Sequence, residues 1–476
     1  MSENINMDKN SKNLVEQIEN TLSISRGIII DMLMKKYNYD KKNAFRIEDI
    51  IHTQTRSSLL ERYNFQEEFV FYKKQGKIDG KFQPTITKYP EFIGWSSVVM
   101  TIPFYQSLGD TIGYRNGDWE FNYGNVREGP DYVNDLIYEF IDFGGVNDMS
   151  IKNLYASDDT ILYLATLEVL VNNFSSINDF GEKVKNAYID TLPVIENRHP
   201  GDTTKISLEI QKNIAWDKLP YNKKAIAAGS AMRSGCIGMF FPGTHNRKRL
   251  IALSVESSRI THNSAIAILA SVTAALFTAY SLEKVPIKEW PNKLLKLLES
   301  GLVDDYIKES RPNDFQDYIR DKILYVGQWK KYVELLFTGA NPIMDTKSMR
   351  NPVRRYKYLI ENFSKGCDIP GSCGDDAIIM AYDSLLRSVG TFEKLIVYSV
   401  LHPGDSDTVG SIAFSWYCGV YHTPRNEAIV GHNFSDLEFH DKIYDLMEKS
   451  IGTFVRIFYH DIYLHIAAKY LKKYAK

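Results

Sequence analysis

Apolar residues recur along this chain mostly at helical spacing. Behind Thr160 they run Ile161, Leu162, Leu164, Ala165, Leu167, Val169 and Leu170, and behind Thr408 they run Val409, Ile412, Ala413 and Trp416. Both runs read as helices. Residues 290–302 and 318–336 mix apolar and charged positions as amphipathic helices do. Residues 263–282 carry no charge and include Ile266, Ile268, Leu269, Val272, Leu276 and Phe277. Their many Ala, Ser and Thr make them less apolar than a membrane span and suit a helix packed among other helices. The pattern therefore predicts a central core helix there. Nearer the start, residues 47–71 interleave Tyr, Phe, Ile and Leu with charges, while 73–84, with Gly76, Gly80 and Pro84, read as a loop or hairpin linker. Residues 451–476 add an amphipathic helix whose basic end complements the helix dipole. No internal repeat is visible.

What precedes the two best helices changes the picture. Ser157-Asp158-Asp159-Thr160 opens the first, and Asp405-Ser406-Asp407-Thr408 opens the second. Asp and Ser are good N-caps, so two capped helices are one reading. A cap needs a single side chain, however, and each cluster offers four oxygen-bearing ones in a row. Carboxylates gathered together repel one another unless something positive sits between them. A hard divalent cation such as Mg²⁺ prefers such oxygen ligands. Zn²⁺ is disfavoured, because no His or Cys set accompanies the clusters. His402, three residues before Asp405, reads as hydrogen-bonded or packed.

Composition narrows the class. A chain of 476 residues has room for one large domain with additions, or two domains. The net charge of −2 gives no reason to invoke nucleic acid or an acidic membrane as a partner. Of the four cysteines, Cys367 and Cys373 lie close in sequence and read as a reduced pair, with no metal-ligand spacing. The first twelve residues are polar, without the apolar stretch of a secretory signal, and the expectation is a cytoplasmic protein.

Five segments occur in order: Leu108-Gly109-Asp110-Thr111-Ile112-Gly113 leading to Trp119-Glu120-Phe121; Gly229-Ser230-Ala231-Met232-Arg233 leading to Cys236-Ile237-Gly238; Glu256 to Thr261-His262; Asp376-Ala377 to Asp383; and His402 to Thr408. Together they resemble the ADP-ribosylglycohydrolase family, and within it the ADP-ribosylarginine hydrolase branch. The resemblance spans residues 89–450, with weak similarity over 284–365. It implies an all-α fold of orthogonally packed helices over residues 89–476, with 284–365 a divergent helical region and 451–476 an extra C-terminal helix. Residues 1–88 form an N-terminal extension of uncertain fold.

The same resemblance implies an activity and a site. The activity is hydrolysis of the N-glycosidic bond between ADP-ribose and arginine in modified proteins, with an ADP-ribosylated protein as substrate and ADP-ribose as product. Two Mg²⁺ ions about 3.5–4 Å apart would serve it. By resemblance Ser157, Asp158 and Asp159 ligate from one helix start, and Asp405, Asp407 and Thr408 from the other. Asp158 or Asp159 acts as general base, a choice the residues leave open. Glu120 approaches metal or substrate, or else is a surface residue beside a core Trp119. Gly229 and Ser230 offer backbone N–H groups to the diphosphate. His262 stands near the phosphates or is a core histidine, Asp376 lies close to the ribose, and Arg233 is paired inside the fold.

Departures from the pattern define the alternatives. Ile226, Ala227 and Ala228 stand where relatives have further glycines, Asn263 follows His262 in place of a glycine turn, and Pro403 replaces a glycine. A hydrolase of another linkage, such as serine-linked or small-molecule ADP-ribose, and a silent ADP-ribose-binding protein are the rival readings.

Overall fold

A computed structural model describes residues 29–30, 33–35, 38–62, 90–122, 132–345, 349, 351–367, 369–421, 434–450 and 453–454. The linker expected at 73–84 and most of the helix expected at 451–476 lie outside these residues. Contacts divide the chain into two compact units, Met1–Ser96 with Lys449–Lys476, and Ser97–Glu448. In the first, a helix runs Lys41–Arg62, covering part of the patterned stretch at 47–71. The second holds every candidate site residue.

Helices dominate, as the periodicity predicts, and the described strands are one antiparallel pair, Phe337–Thr338 with Asn341–Pro342. Five helices frame the site: α1 (Pro90–Tyr114), α2 (Asp158–Val171), α3 (Ala265–Leu282), α4 (Gly374–Ser388) and α5 (Ser406–Tyr421). Among the described residues α3 alone is long and apolar enough to cross a membrane, yet all of it is buried inside the protein. Its small residues explain why. They let the helices Gly235–Phe240 and Arg247–Arg259, together with α4 and α5, approach closely on different sides. A Cβ on Gly238 would collide with the Ala275 carbonyl. Where α3 carries a large residue, Phe277, the space is filled by Trp290, Trp329, Tyr382 and Trp416.

Glycine also sets the crossing of α1 and α5. A Cβ on Gly109 would lie 2.5 Å from the Gly410 carbonyl oxygen, and one on Gly410 would lie 2.7 Å from the Gly109 oxygen. The backbones thus pack against each other, which brings Asp110 to the same neighbourhood as the start of α5. In the divergent region the expected helix at 290–302 stops at Glu299. Gly301 adopts φ 80°, a left-handed turn that ends one helix before Leu302–Ser310 begins another.

One expectation is corrected. Cys367 and Cys373 form a disulfide and not a reduced pair. The loop between them folds back, bringing their Cα atoms to 6.0 Å, within the span a disulfide bridges.

Candidate active site

The two acidic clusters meet. Thr408 Oγ1 donates to the Asp159 carboxylate, 2.8 Å and 2.9 Å from its two oxygens, across 249 residues of sequence. Each cluster also begins a helix. Ser157 caps α2, its hydroxyl accepting from Asp159 N at 3.0 Å. At α5, Thr408 N donates to Asp405 Oδ1 and Asp407 Oδ1 at 3.3 Å and 2.9 Å. Capping and gathering are therefore combined in the same residues.

Glu120 joins them. After α1 the chain turns through Arg115–Gly117 and Glu120–Asn122 with positive φ at Arg115, Asn116, Gly117 and Phe121. Such backbone costs energy at non-glycine positions and persists only where packing imposes it. Trp119 supplies that packing: it is core, and its indole N–H donates to Glu139 at 3.0 Å. The turn carries Glu120 inward, where it is only 4% exposed. One oxygen each from Glu120, Asp405 and Asp407 lie within 4.8 Å of one another. Glu120 Oε2 accepts no hydrogen bond among the described residues.

Asp110 is the residue the motif reading underused. Its carboxylate accepts from the N–H groups of Ser157 at 3.1 Å and Thr160 at 3.0 Å and from the Thr160 hydroxyl. It thus holds the first cluster from behind. A signal was present, since Asp110 is the lone charged residue from Val98 to Ile112.

Charge at this site is costly. Burial, then the neighbouring Asp407 charge, pushes Asp158, Asp159, Asp405 and Glu120 well above the ordinary carboxylate range. Asp110 is pushed to about 7 by the same two causes. Burial raises Asp407 too, although hydrogen bonds from Asp405, Thr408 and Ser157 oppose the rise. An all-oxygen, buried and mutually repelling donor set with an open acceptor on Glu120 fits a hard divalent cation.

The remaining candidates are placed differently. Ser230 turns its hydroxyl away, donating to Ala267 O at 2.9 Å. Gly229 packs on His262: a Cβ there would lie 2.9 Å from the ring, which is why glycine stands at that position. His262 is buried, with Nδ1 2.7 Å from Thr261 Oγ1, and burial, then the Arg233 charge, lowers its pKa to about 3. It is a neutral core histidine behind the loop. Arg233 is paired inside, as expected, donating to Gly229 O, Ser257 O and Thr261 Oγ1. Asp376 caps α4, accepting from Gly371 N at 2.8 Å and Cys373 N at 3.0 Å, and does not join the Glu120–Asp405–Asp407 group. Its loop does reach the second cluster, since Asp405 N donates to Pro370 O at 2.9 Å. His402 donates from Nε2 to Ser399 O and accepts from Gly404 N, so it packs and does not ligate.

A cleft of about 440 Å³ lined by Tyr114, Asn116, Tyr155, Asn197, Arg198 and His199 opens beside this cluster. His199 Nδ1 is 3.9 Å from Glu120 Oε2 and 3.3 Å from the Tyr114 hydroxyl. None of the six was singled out from the sequence as a site residue.

The family pattern for ADP-ribosylglycohydrolase matches residues 106–423, which contain both clusters, Asp110 and Glu120. The chain belongs to the ADP-ribosylglycohydrolase family. It is 48% identical over 494 residues to a provisionally named ADP-ribosyl glycohydrolase of Acanthamoeba polyphaga mimivirus, covering 100% of this chain and 95% of that one. It is 32% identical over 339 residues to the ADP-ribosylhydrolase ARH1 of Dictyostelium discoideum, covering 66% and 84%. A solved structure titled ADP-ribosylglycohydrolase-related protein complex aligns with a TM-score of 0.40 at 15% identity, over 74% of this chain and 98% of that one. As a member of this family the protein is a hydrolase with ADP-ribosylglycohydrolase activity, acting on ADP-ribosylated substrates and releasing ADP-ribose. The family is metal-dependent, and the buried acids are a donor set able to hold a metal.

Proposed function

We propose that this hydrolase is cytoplasmic and cleaves the N-glycosidic bond between ADP-ribose and arginine in modified proteins, served by two Mg²⁺ ions. The observation that carries the reading is the joining of the two clusters through Thr408 and Asp159, with Glu120 turned inward beside Asp405 and Asp407. Ser157, Asp158 and Asp159 would hold metal from α2, and Asp405, Asp407 and Thr408 from α5. Bound Mg²⁺ would supply positive charge for the ribose diol and orient water for attack. The Tyr114-to-Phe121 segment and Cys236-Ile237-Gly238 support arginine as the acceptor, through the branch resemblance.

The chain's own groups account for the proton. The bond from C1′ to the guanidine nitrogen breaks through a state with positive charge on the ribose, which the surrounding carboxylates stabilise. Water adds its oxygen to C1′, and Asp158 or Asp159 takes the proton it sheds. These carboxylates would be held ionised beside bound Mg²⁺, as a general base must be. Arginine leaves as its guanidine and is protonated in solvent.

The test is release of ADP-ribose from an arginine-ADP-ribosylated protein, with Mg²⁺ and with EDTA, beside a serine-linked substrate. Mg²⁺-dependent release from arginine alone is the expected result. Release from serine alone would move the protein to another linkage. Release from neither, with ADP-ribose still bound in calorimetry, would make it a binding protein.

A further inference from the structure

Three consecutive amides lead into the first cluster, and each donates to a side chain from a different distant segment. Tyr155 N donates to Asn116 Oδ1 at 2.8 Å, Ala156 N to Glu438 Oε2 at 2.9 Å, and Ser157 N to Asp110 at 3.1 Å. The middle peptide is gripped from both sides. Arg198 Nη1 donates to Ala156 O at 2.9 Å, and Arg198 closes the grip by a two-pronged pair with Glu438, at 3.0 Å and 2.7 Å. The Arg198 guanidinium also lies 4.7 Å over the Tyr155 ring. Ala156 itself is fully buried.

We infer that Arg198 and Glu438 are positioning residues: by clamping the Ala156 peptide they fix where Ser157, Asp158 and Asp159 enter the metal-holding cluster. The alternative is a surface ion pair that happens to lie nearby. Magnitudes separate the two. Both side chains keep contact with solvent, at 16% and 23% exposure, so their mutual attraction is partly screened. The bonds to Ala156 are another matter, because a displacement there passes straight to the cap residue one position on. Metal ligands depend on such supporting bonds for orientation, and losing one typically costs about 10–100-fold in metal affinity.

This inference rests on the metal reading proposed above and not on the arginine linkage, so its test uses Mg²⁺ alone. Calorimetry on the full chain would compare wild type with Arg198→Ala, Glu438→Ala, the double variant and Glu438→Gln. Each single alanine variant is expected to weaken Mg²⁺ about 10-fold, and the double variant no further, because one clamp is lost in either case. Glu438→Gln keeps an oxygen for the Ala156 N–H and should recover much of the loss, whereas a plain ion pair would give it no advantage over alanine. Should Glu438→Ala not fold, Arg198→Lys reads the same effect, since lysine cannot reach both Ala156 O and Glu438 with a fork. Folded variants that bind Mg²⁺ within about 2-fold of wild type overturn the clamp and leave the metal reading standing. A wild type that binds no Mg²⁺ overturns both.

Discussion

The two acidic clusters do similar work at the starts of α2 and α5 but are held by opposite means. The first is held by side chains: Asp110, Asn116, Arg198 and Glu438 reach its backbone from four separate places. The second is held largely by backbone and close packing. Asp405 N donates to Pro370 O, Gly404 O accepts from Phe121 N, and Gly113 lies directly against Ser406 and Asp407. Side-chain bonds can be removed one at a time by shortening a residue. Backbone packing is broken instead by adding atoms. The first cluster should therefore be sensitive to deletions around it and the second to enlargements.

The largest expected effect removes an acid itself. Asp158→Ala should lower hydrolysis by about 10²–10⁴-fold while the protein stays folded, read from ADP-ribose release beside circular dichroism. Retained turnover would take the first cluster out of the mechanism. Asp407→Asn is its counterpart at the second cluster and should weaken Mg²⁺ by about 10-fold or more in calorimetry. An unchanged affinity would rule out a site shared between the clusters.

Next come changes that leave every acid in place. In Gly113→Ala the new methyl would sit 2.5 Å from Ser406 O and 2.6 Å from the Asp407 Cα, so about 1–3 kcal/mol of stability should be lost in urea unfolding. A neutral result would mean that α5 can slide, contrary to the packing described above. Thr408→Val keeps the shape but removes the donor to Asp159, the bond that joins the clusters. It should cost about 1–3 kcal/mol in EDTA, and more in Mg²⁺, because the variant also lacks a ligand and so gains less stability from the metal.

The gentlest probe is pH. Burial, then the Asp375 charge, raises Asp376 to about 7, so the folded protein holds this proton more tightly than the unfolded chain does. Its contribution is present below the unfolded pKa near 4 and is lost as pH rises through about 7, at up to about 1.4 kcal/mol per pH unit. Wild type in EDTA should lose melting temperature from pH 4.5 to 7, and Asp376→Asn should flatten that slope. An identical slope in both would assign it to the acidic clusters alone.

Several features were legible from residues by themselves. Helical spacing located α2 and α5, Ser157 marked the start of α2, and the small-residue composition of 263–282 identified α3 as a buried helix. The order of the motifs pointed to the family and to the acids around the site, although Asp110, inside the first motif, received no role from it. These are short-range signals: caps, periodicity and motif spacing act within a few residues of one another.

Other features depended on folding back. Glu120 could have been a surface residue, and only the left-handed turn before it carries it inside. Cys367 and Cys373 become partners because their loop closes, while Ser230 turns to Ala267 and His262 packs on Gly229, neighbours that no local pattern names. Arg198 and Glu438 carry no motif at all. Each contact is a matter of which helices pack and how closely, as the Gly109–Gly410 crossing shows, and that is decided by long-range burial. Residue identity and local spacing thus set what chemistry this protein has at hand, and long-range packing selects which of those groups meet and what holds them in place.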